Sequence, residues 1–168
     1  MPDARTLQRA RRDKRQGKSP STQAGEFVRE EIEHVREGKH GARSAKQAIA
    51  IGLSKARRAG VKLPPPRKGA TSPATRRKAK HDLEAGRKAT QPVSAKRSRA
   101  VSTALGREGH QAASPGALAA HARVAARKHT RAERSAAAMQ AVRTKGPAAR
   151  KAAARKAVRT RQRRRTGA

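Results

Sequence analysis

Basic residues outnumber acidic ones four to one in this chain, 44 against 11 for a formal net charge of +33, and that imbalance limits how much of it can fold. Crowded like charges repel, so such a chain compacts only where its own carboxylates or an outside polyanion supply counter-charge. Apolar residues offer little help. Leu, Ile, Val and Phe number 18 of 168, under the roughly 20% below which high charge implies disorder. One Phe and no Trp or Tyr rule out a core anchored by aromatic rings. The expected fold class is mostly α with extensive disorder.

The charge is unevenly spread. Residues 1–19 carry seven basic and two acidic residues, residues 20–63 nine and five, and residues 64–168 twenty-eight and four. Acid and base nearly balance only in the middle block, which also holds half of the large apolar residues. It is the segment expected to fold, flanked by a disordered basic arm over 1–19.

The block 20–63 reads as a small helical hairpin, about 22–37 and 44–59. In the first helix Val28, Ile32 and Val35 recur at i, i+4 and i+7 with Phe27 beside them, and Gly38 suits a left-handed stop. In the second, SAKQAIAIGLSKARRAG, Ser44 opens a capping box with Gln47. Ala45, Ala48, Ile49, Gly52, Leu53, Ala56 and Ala59 fall on one face, where small residues admit a neighbouring helix closely. The expected hairpin core is Phe27, Val28, Ile32, Val35, Ile49 and Leu53. Gly60 ends the second helix, and Pro64-Pro65-Pro66 opens a proline-rich linker over 64–72. So small a core is marginal alone, which makes a homodimer through the hairpin an expectation.

Ala48–Leu53 aligns without gaps on Ala100–Leu105, each followed by a basic residue, and a helix predicted from Pro73 to about Gly86 precedes the second copy. The pattern suggests a degenerate second helical hairpin over 73–109, with chance similarity of Ala-rich segments the alternative. Ser114-Pro115 then opens a long Ala/Arg helix over 114–146, followed by a basic tail, 147–168, expected to be disordered when free and partly helical when neutralised.

Enzymatic chemistry has little to stand on. Cysteine is absent, and no GxGxxG, P-loop or nucleophile elbow occurs. Glu26, Glu30, Glu31, Glu33 and Glu37 are accounted for by a charged helix face whose acids the macrodipole favours. Glu30 with His34, and His121, His129 and Glu133 along one predicted face, match no established zinc spacing. No catalytic residue, metal or cofactor is expected. No apolar run is long enough for a membrane span, and no signal-peptide apolar region follows the basic start. Asp3, Asp13 and the lack of an amphipathic stripe argue against a transit peptide. Faces opposite the charge are mostly alanine, so no membrane binding is expected either.

Nucleic acid is the polyanion this composition fits. Arginine outnumbers lysine 29 to 15, and its planar fork suits phosphate oxygens. The expected phosphate-binding residues are Lys46, Lys55, Arg57 and Arg58 on the outer side of the hairpin, then Arg76, Arg77, Lys78, Arg127, Lys128, Arg150, Lys151, Arg155, Lys156, Arg163, Arg164 and Arg165. Reading bases requires rigidly presented side chains, and stacking on RNA bases requires aromatic residues. Nonspecific binding of duplex DNA is therefore expected, with RNA, or a protein partner for the hairpin, as the alternatives.

Two resemblances bear on this. KQAIAIGLSKARRAG, residues 46–60, resembles the shared motif of a family of short, basic, largely uncharacterised bacterial proteins. In longer relatives it is similarly preceded by FVREEIEHVREGKHGARS. Such proteins are commonly labelled DNA-binding, which implies that function here but no particular site residue. The tail AARKAAARKAVRTR is similar to the Ala/Lys-rich tails of linker histones and bacterial histone-H1-like proteins, though it prefers Arg and lacks regular KPAAK-type repeats. Together they imply a cytoplasmic, nucleoid-associated protein.

Overall fold

The structure, a computed structural model, describes residues 2–88 and 94–166, with the side chains of 144, 145, 164 and 166 outside that description. The chain divides into two compact units, Met1–His121 and Ala122–Ala168.

In the first unit α1 (Ala4–Arg15), α2 (Pro20–Arg36) and α3 (Ala45–Arg58) are each stopped by a glycine with positive φ, Gly17, Gly38 and Gly60. At each stop the amide beyond the glycine turns back to a carbonyl of the last turn: Lys18 to Asp13, Lys39 to His34, and Val61 to Ala56. These bonds satisfy carbonyls that a helix end otherwise leaves bare. The starts are equally local. The Ser19 hydroxyl accepts from the Thr22 amide ahead of Pro20, and the Ser44 hydroxyl accepts from the Gln47 amide at 3.2 Å.

Helices α2 and α3 form the expected hairpin, and their crossing is very close. Ala45, Ala48, Gly52 and Ala56 are the buried side of α3. A Cβ added to Gly52 would stand 2.7 Å from Val28 Cα and 3.0 Å from the Phe27 carbonyl oxygen, so only glycine permits this approach. Apolar side chains gather on both sides of the contact. One cluster joins Ile32, Val35, Ala42, Ala48, Ala112 and Ala113, with Val28 and Leu118 against it. The other joins Ala10, Ala24, Phe27, Ala56 and Val61, with Leu7, Leu53 and Leu63. Ile49 is half-buried.

Other parts of the same chain cover the hairpin. Residues 1–19, expected as a disordered arm, form α1 instead, which lays Thr6, Ala10 and Asp13 onto α2. Arg9 reaches Glu26 Oε2 at 2.6 Å across that contact. Helix α4 (Pro73–Ala85) docks on α3: the buried Asp82 carboxylate accepts from Ser54 Oγ at 2.7 Å and from Arg58 Nε at 3.0 Å. Residues 105–113 close the far end, including a 3₁₀ turn, Gln111–Ala113. There the Gly41 and Ala42 amides donate to the Leu105 and Gly109 carbonyls, and Arg36 Nε donates to the Ala113 carbonyl at 2.9 Å.

The second hairpin expected over 73–109 does not form as one. Helix α4 packs on α3, while α5 (Ala95–Gly106) buries no side chain, and residues 89–93 between them lie outside the described residues. Nor is 64–72 a free spacer. Arg57, itself buried, donates to the Leu63 and Pro64 carbonyls at 3.3 Å each, and Arg76 Nε donates to that of Pro66.

Extensive disorder is not what the described residues show; they are mostly helical, and no strand occurs among them. The physical reason lies in alanine. Of the thirteen buried apolar residues, nine are alanines, which a count of Leu, Ile, Val and Phe omits. Helices that touch backbone to backbone exclude water from small side chains just as bulky ones do at greater separation.

The long Ala/Arg helix expected over 114–146 is broken. Helix α6 (Pro115–Arg127) ends, and α7 (Arg131–Thr166) restarts behind a capping box. There Thr130 Oγ1 accepts from the Glu133 amide at 3.1 Å, and Glu133 Oε2 accepts from the Thr130 amide at 2.8 Å. Within α7 the ladder is interrupted at Gly146 (φ 67°, ψ 169°) ahead of Pro147, and the tail beyond is helical to Thr166.

Candidate nucleic-acid interface

The carboxylates of the first unit are spent largely on its own cations. Lys18 Nζ lies 2.7 Å from Asp13 Oδ1, and Arg58 holds Asp82. Glu30 and Glu31, adjacent on α2, are both buried, and Lys55 from α3 lies between them: its Nζ is 2.6 Å from Glu31 Oε2 and 3.6 Å from Glu30 Oε1. On the other side, His40 Nε2 stands 3.2 Å from Glu31 Oε1, and the Asp3 amide donates to Glu30 Oε2. Two buried carboxylates need such company, since removing one partner of a buried pair typically costs about 3–5 kcal/mol.

This reassigns three of the four hairpin cations expected to face phosphate. Lys55 is committed to Glu30 and Glu31. Arg57 is committed to the backbone of 63–64, and its burial lowers its pKa from the ordinary guanidinium value, with the Asp82 charge opposing. Arg58 is tied to Asp82 although half of it remains exposed. Lys46 stays exposed at the start of α3.

Of the remaining expected residues, Arg76 is half-buried against Pro66, whereas Arg77 and Lys78 are exposed on α4. Arg127 and Lys128 are exposed where α6 gives way to α7. On α7, Arg150 Nε donates to the Gly146 carbonyl at 3.3 Å, and Lys151, Arg155, Lys156, Arg163 and Arg165 are exposed. The Arg164 side chain lies outside the described residues. Beyond Glu133 no acid follows in the sequence, and the basic residues occupy every side of the helix rather than one stripe. Met139, Val142 and Val158 are exposed.

One basic surface escaped the sequence reading. Arg5, Gln8, Arg9, Arg12 and Arg15 line a shallow groove along α1. The signal was present as arginines at i, i+4 and i+7, but only a helix brings them to one side. Phe27 is 1% exposed, so the chain's one aromatic ring is closed to base stacking. Among the described residues no helix is long and apolar enough to cross a membrane.

Residues 11–68 match a family described as a family of unknown function, DUF6496, a span that runs from α1 through the Pro64–Pro66 segment. No curated protein and no solved structure matches the chain.

Proposed function

We propose that the protein binds nucleic acid, duplex DNA foremost, by nonspecific phosphate neutralisation in the manner of nucleoid-associated, histone H1-like proteins. The observation that carries this reading is the partition of charge. The first unit spends most of its acids internally, while α7 holds out exposed arginines and lysines on all sides with Glu133 as their one acidic neighbour. Cations arrayed in this way release condensed counterions when they meet a duplex, and they select no base sequence. The burial of Phe27 favours duplex over single-stranded RNA, whose recognition draws on aromatic stacking.

Fluorescence anisotropy of the full chain on duplex DNA across a salt series tests the proposal. With about eight phosphate contacts, log affinity falls against log salt with a slope near −7. Replacing Arg150, Lys151, Arg155 and Lys156 by Gln brings the slope to roughly −3.5. A Kd indifferent to salt refutes phosphate neutralisation. Structured RNA winning at matched salt moves the function to RNA, and retention of a protein partner by the Gln variant points instead to an adaptor.

A further inference from the structure

Where α2 turns toward α3, ligand-type atoms converge in a way the nucleic-acid reading leaves unused. Glu31, His34 and His40 each offer one such atom, all within 4.8 Å of one another. Glu31 is fully buried; its Oε2 lies 2.6 Å from the Lys55 ammonium and its Oε1 3.2 Å from the His40 ring. His40 Nδ1 lies 3.1 Å from the Gly41 carbonyl, an acceptor that favours the tautomer with its proton on Nδ1. Nε2 then faces Glu31 Oε1 at 3.2 Å, a gap that a proton or a metal cation can bridge. A ring nitrogen fixed by a backbone carbonyl is the usual support of a metal-bound histidine.

We propose that Glu31, His34 and His40 form a site for a first-row divalent cation, zinc fitting best, which pins the α2–α3 turn. Two imidazoles and a carboxylate are a donor set for zinc, with bonds of about 2.0–2.2 Å. The edge of a tetrahedron on such bonds is about 3.4 Å, close to the 3.2 Å between Glu31 Oε1 and His40 Nε2. His34 is positioned from the same helix one turn on, and its ring meets that of His40 nearly at right angles with centroids 6.1 Å apart. Asp3 Oδ2 stands 3.4 Å from His34 Nε2, a second oxygen steadying a ligand ring. Lys55 Nζ takes Glu31 Oε2 at 2.6 Å, so Glu31 Oε1 is the oxygen that remains for the metal. His34 also borders a cavity lined by Asp3, Glu30, Glu33 and Glu37, with Arg5, Arg9 and Lys39 on its rim.

The test uses tag-free, full-length protein stripped with chelator and titrated with Co²⁺, read by visible absorption, followed by Zn²⁺ competition. Saturation at one cobalt per chain is expected, with a band of tetrahedral type that zinc abolishes. Because Glu31 is fully buried, the variants are His40→Ala and His34→Gln, each expected to weaken binding by about ten-fold or more. In unmutated protein, ring NMR signals of His34 and His40, and not those of His121 or His129, should move when zinc is added. Absence of a cobalt band, unchanged affinity in both variants, or movement confined to His121 and His129 overturns the site.

Discussion

Two glycines inside helices should respond to the same substitution with opposite sign. Gly25 lies on the exposed side of α2 with nothing within 4 Å of an added Cβ, whereas at Gly52 that atom would stand 2.7 Å from Val28 Cα and 3.0 Å from the Phe27 carbonyl oxygen. Alanine is the better helix former by about 1 kcal/mol, so Gly25→Ala should stabilise the first unit by about that much. Gly52→Ala gains the same intrinsic term but must open the α2–α3 crossing by about 0.7 Å to reach an ordinary contact of 3.4 Å. The obstacle is backbone, which no rotamer change can move aside. Overpacking of this kind costs about 1–3 kcal/mol, and here it also loosens the apolar clusters on both sides of the crossing. The net expectation is a loss of roughly 1–2 kcal/mol for Ala, and more for Val. Thermal unfolding of both variants beside wild type reads this as midpoints moving apart, by about 4 °C for each kcal/mol. Should Gly52→Ala match or exceed wild type in stability, the two helices do not meet as closely as described.

Asp82→Ala removes the acceptor of Ser54 and Arg58 and should cost about 1–3 kcal/mol; hydrogen exchange should show α4 losing protection while α2 keeps it, and equal protection of α4 would contradict its docking. Lys55→Met leaves Glu30 and Glu31 buried without their ammonium, so in chelator the expected loss is about 3 kcal/mol or more; denaturant unfolding measures it, and a neutral result would mean that Lys55 is not their partner. Glu133 accepts from the Thr130 amide and hydroxyl, and these bonds lower its pKa below the ordinary carboxylate value. Its contribution to the start of α7 is therefore present above about pH 4.3 and lost as pH falls through the lowered value. NMR exchange of the Thr130 amide should rise in that acid window, and an amide indifferent to acid would place the cap elsewhere.

The parts of the fold that are legible in the sequence are those fixed by neighbours along the chain. Ser44 with Gln47, the stops at Gly38 and Gly60, and the seam of Ala45, Ala48, Gly52 and Ala56 are all local patterns. Helix α1 hid because the residues it buries, Thr6, Ala10 and Asp13, are small or polar, so a search for apolar periodicity passes over them. The Thr130–Glu133 capping box was readable but stood inside a stretch that alanine made look continuous. The pairing of Glu30 and Glu31 with Lys55 and His40, and of Asp82 with Arg58, depends on how α2, α3 and α4 are brought together. That arrangement follows from the close approach at Gly52 and from an alanine core, neither of which a hydropathy count weighs.

The interruption at Gly146 sets a length. From Pro147 to Thr166 the second stretch of α7 runs for 20 residues, about 30 Å at 1.5 Å per residue. A duplex of that length is a little under one turn and carries roughly 18 phosphates, at one charge per 1.7 Å. The stretch holds nine arginines and lysines. On the reading proposed above, one such rod laid along DNA offsets half the charge of the turn it covers, and the remainder is left for a second rod or for salt.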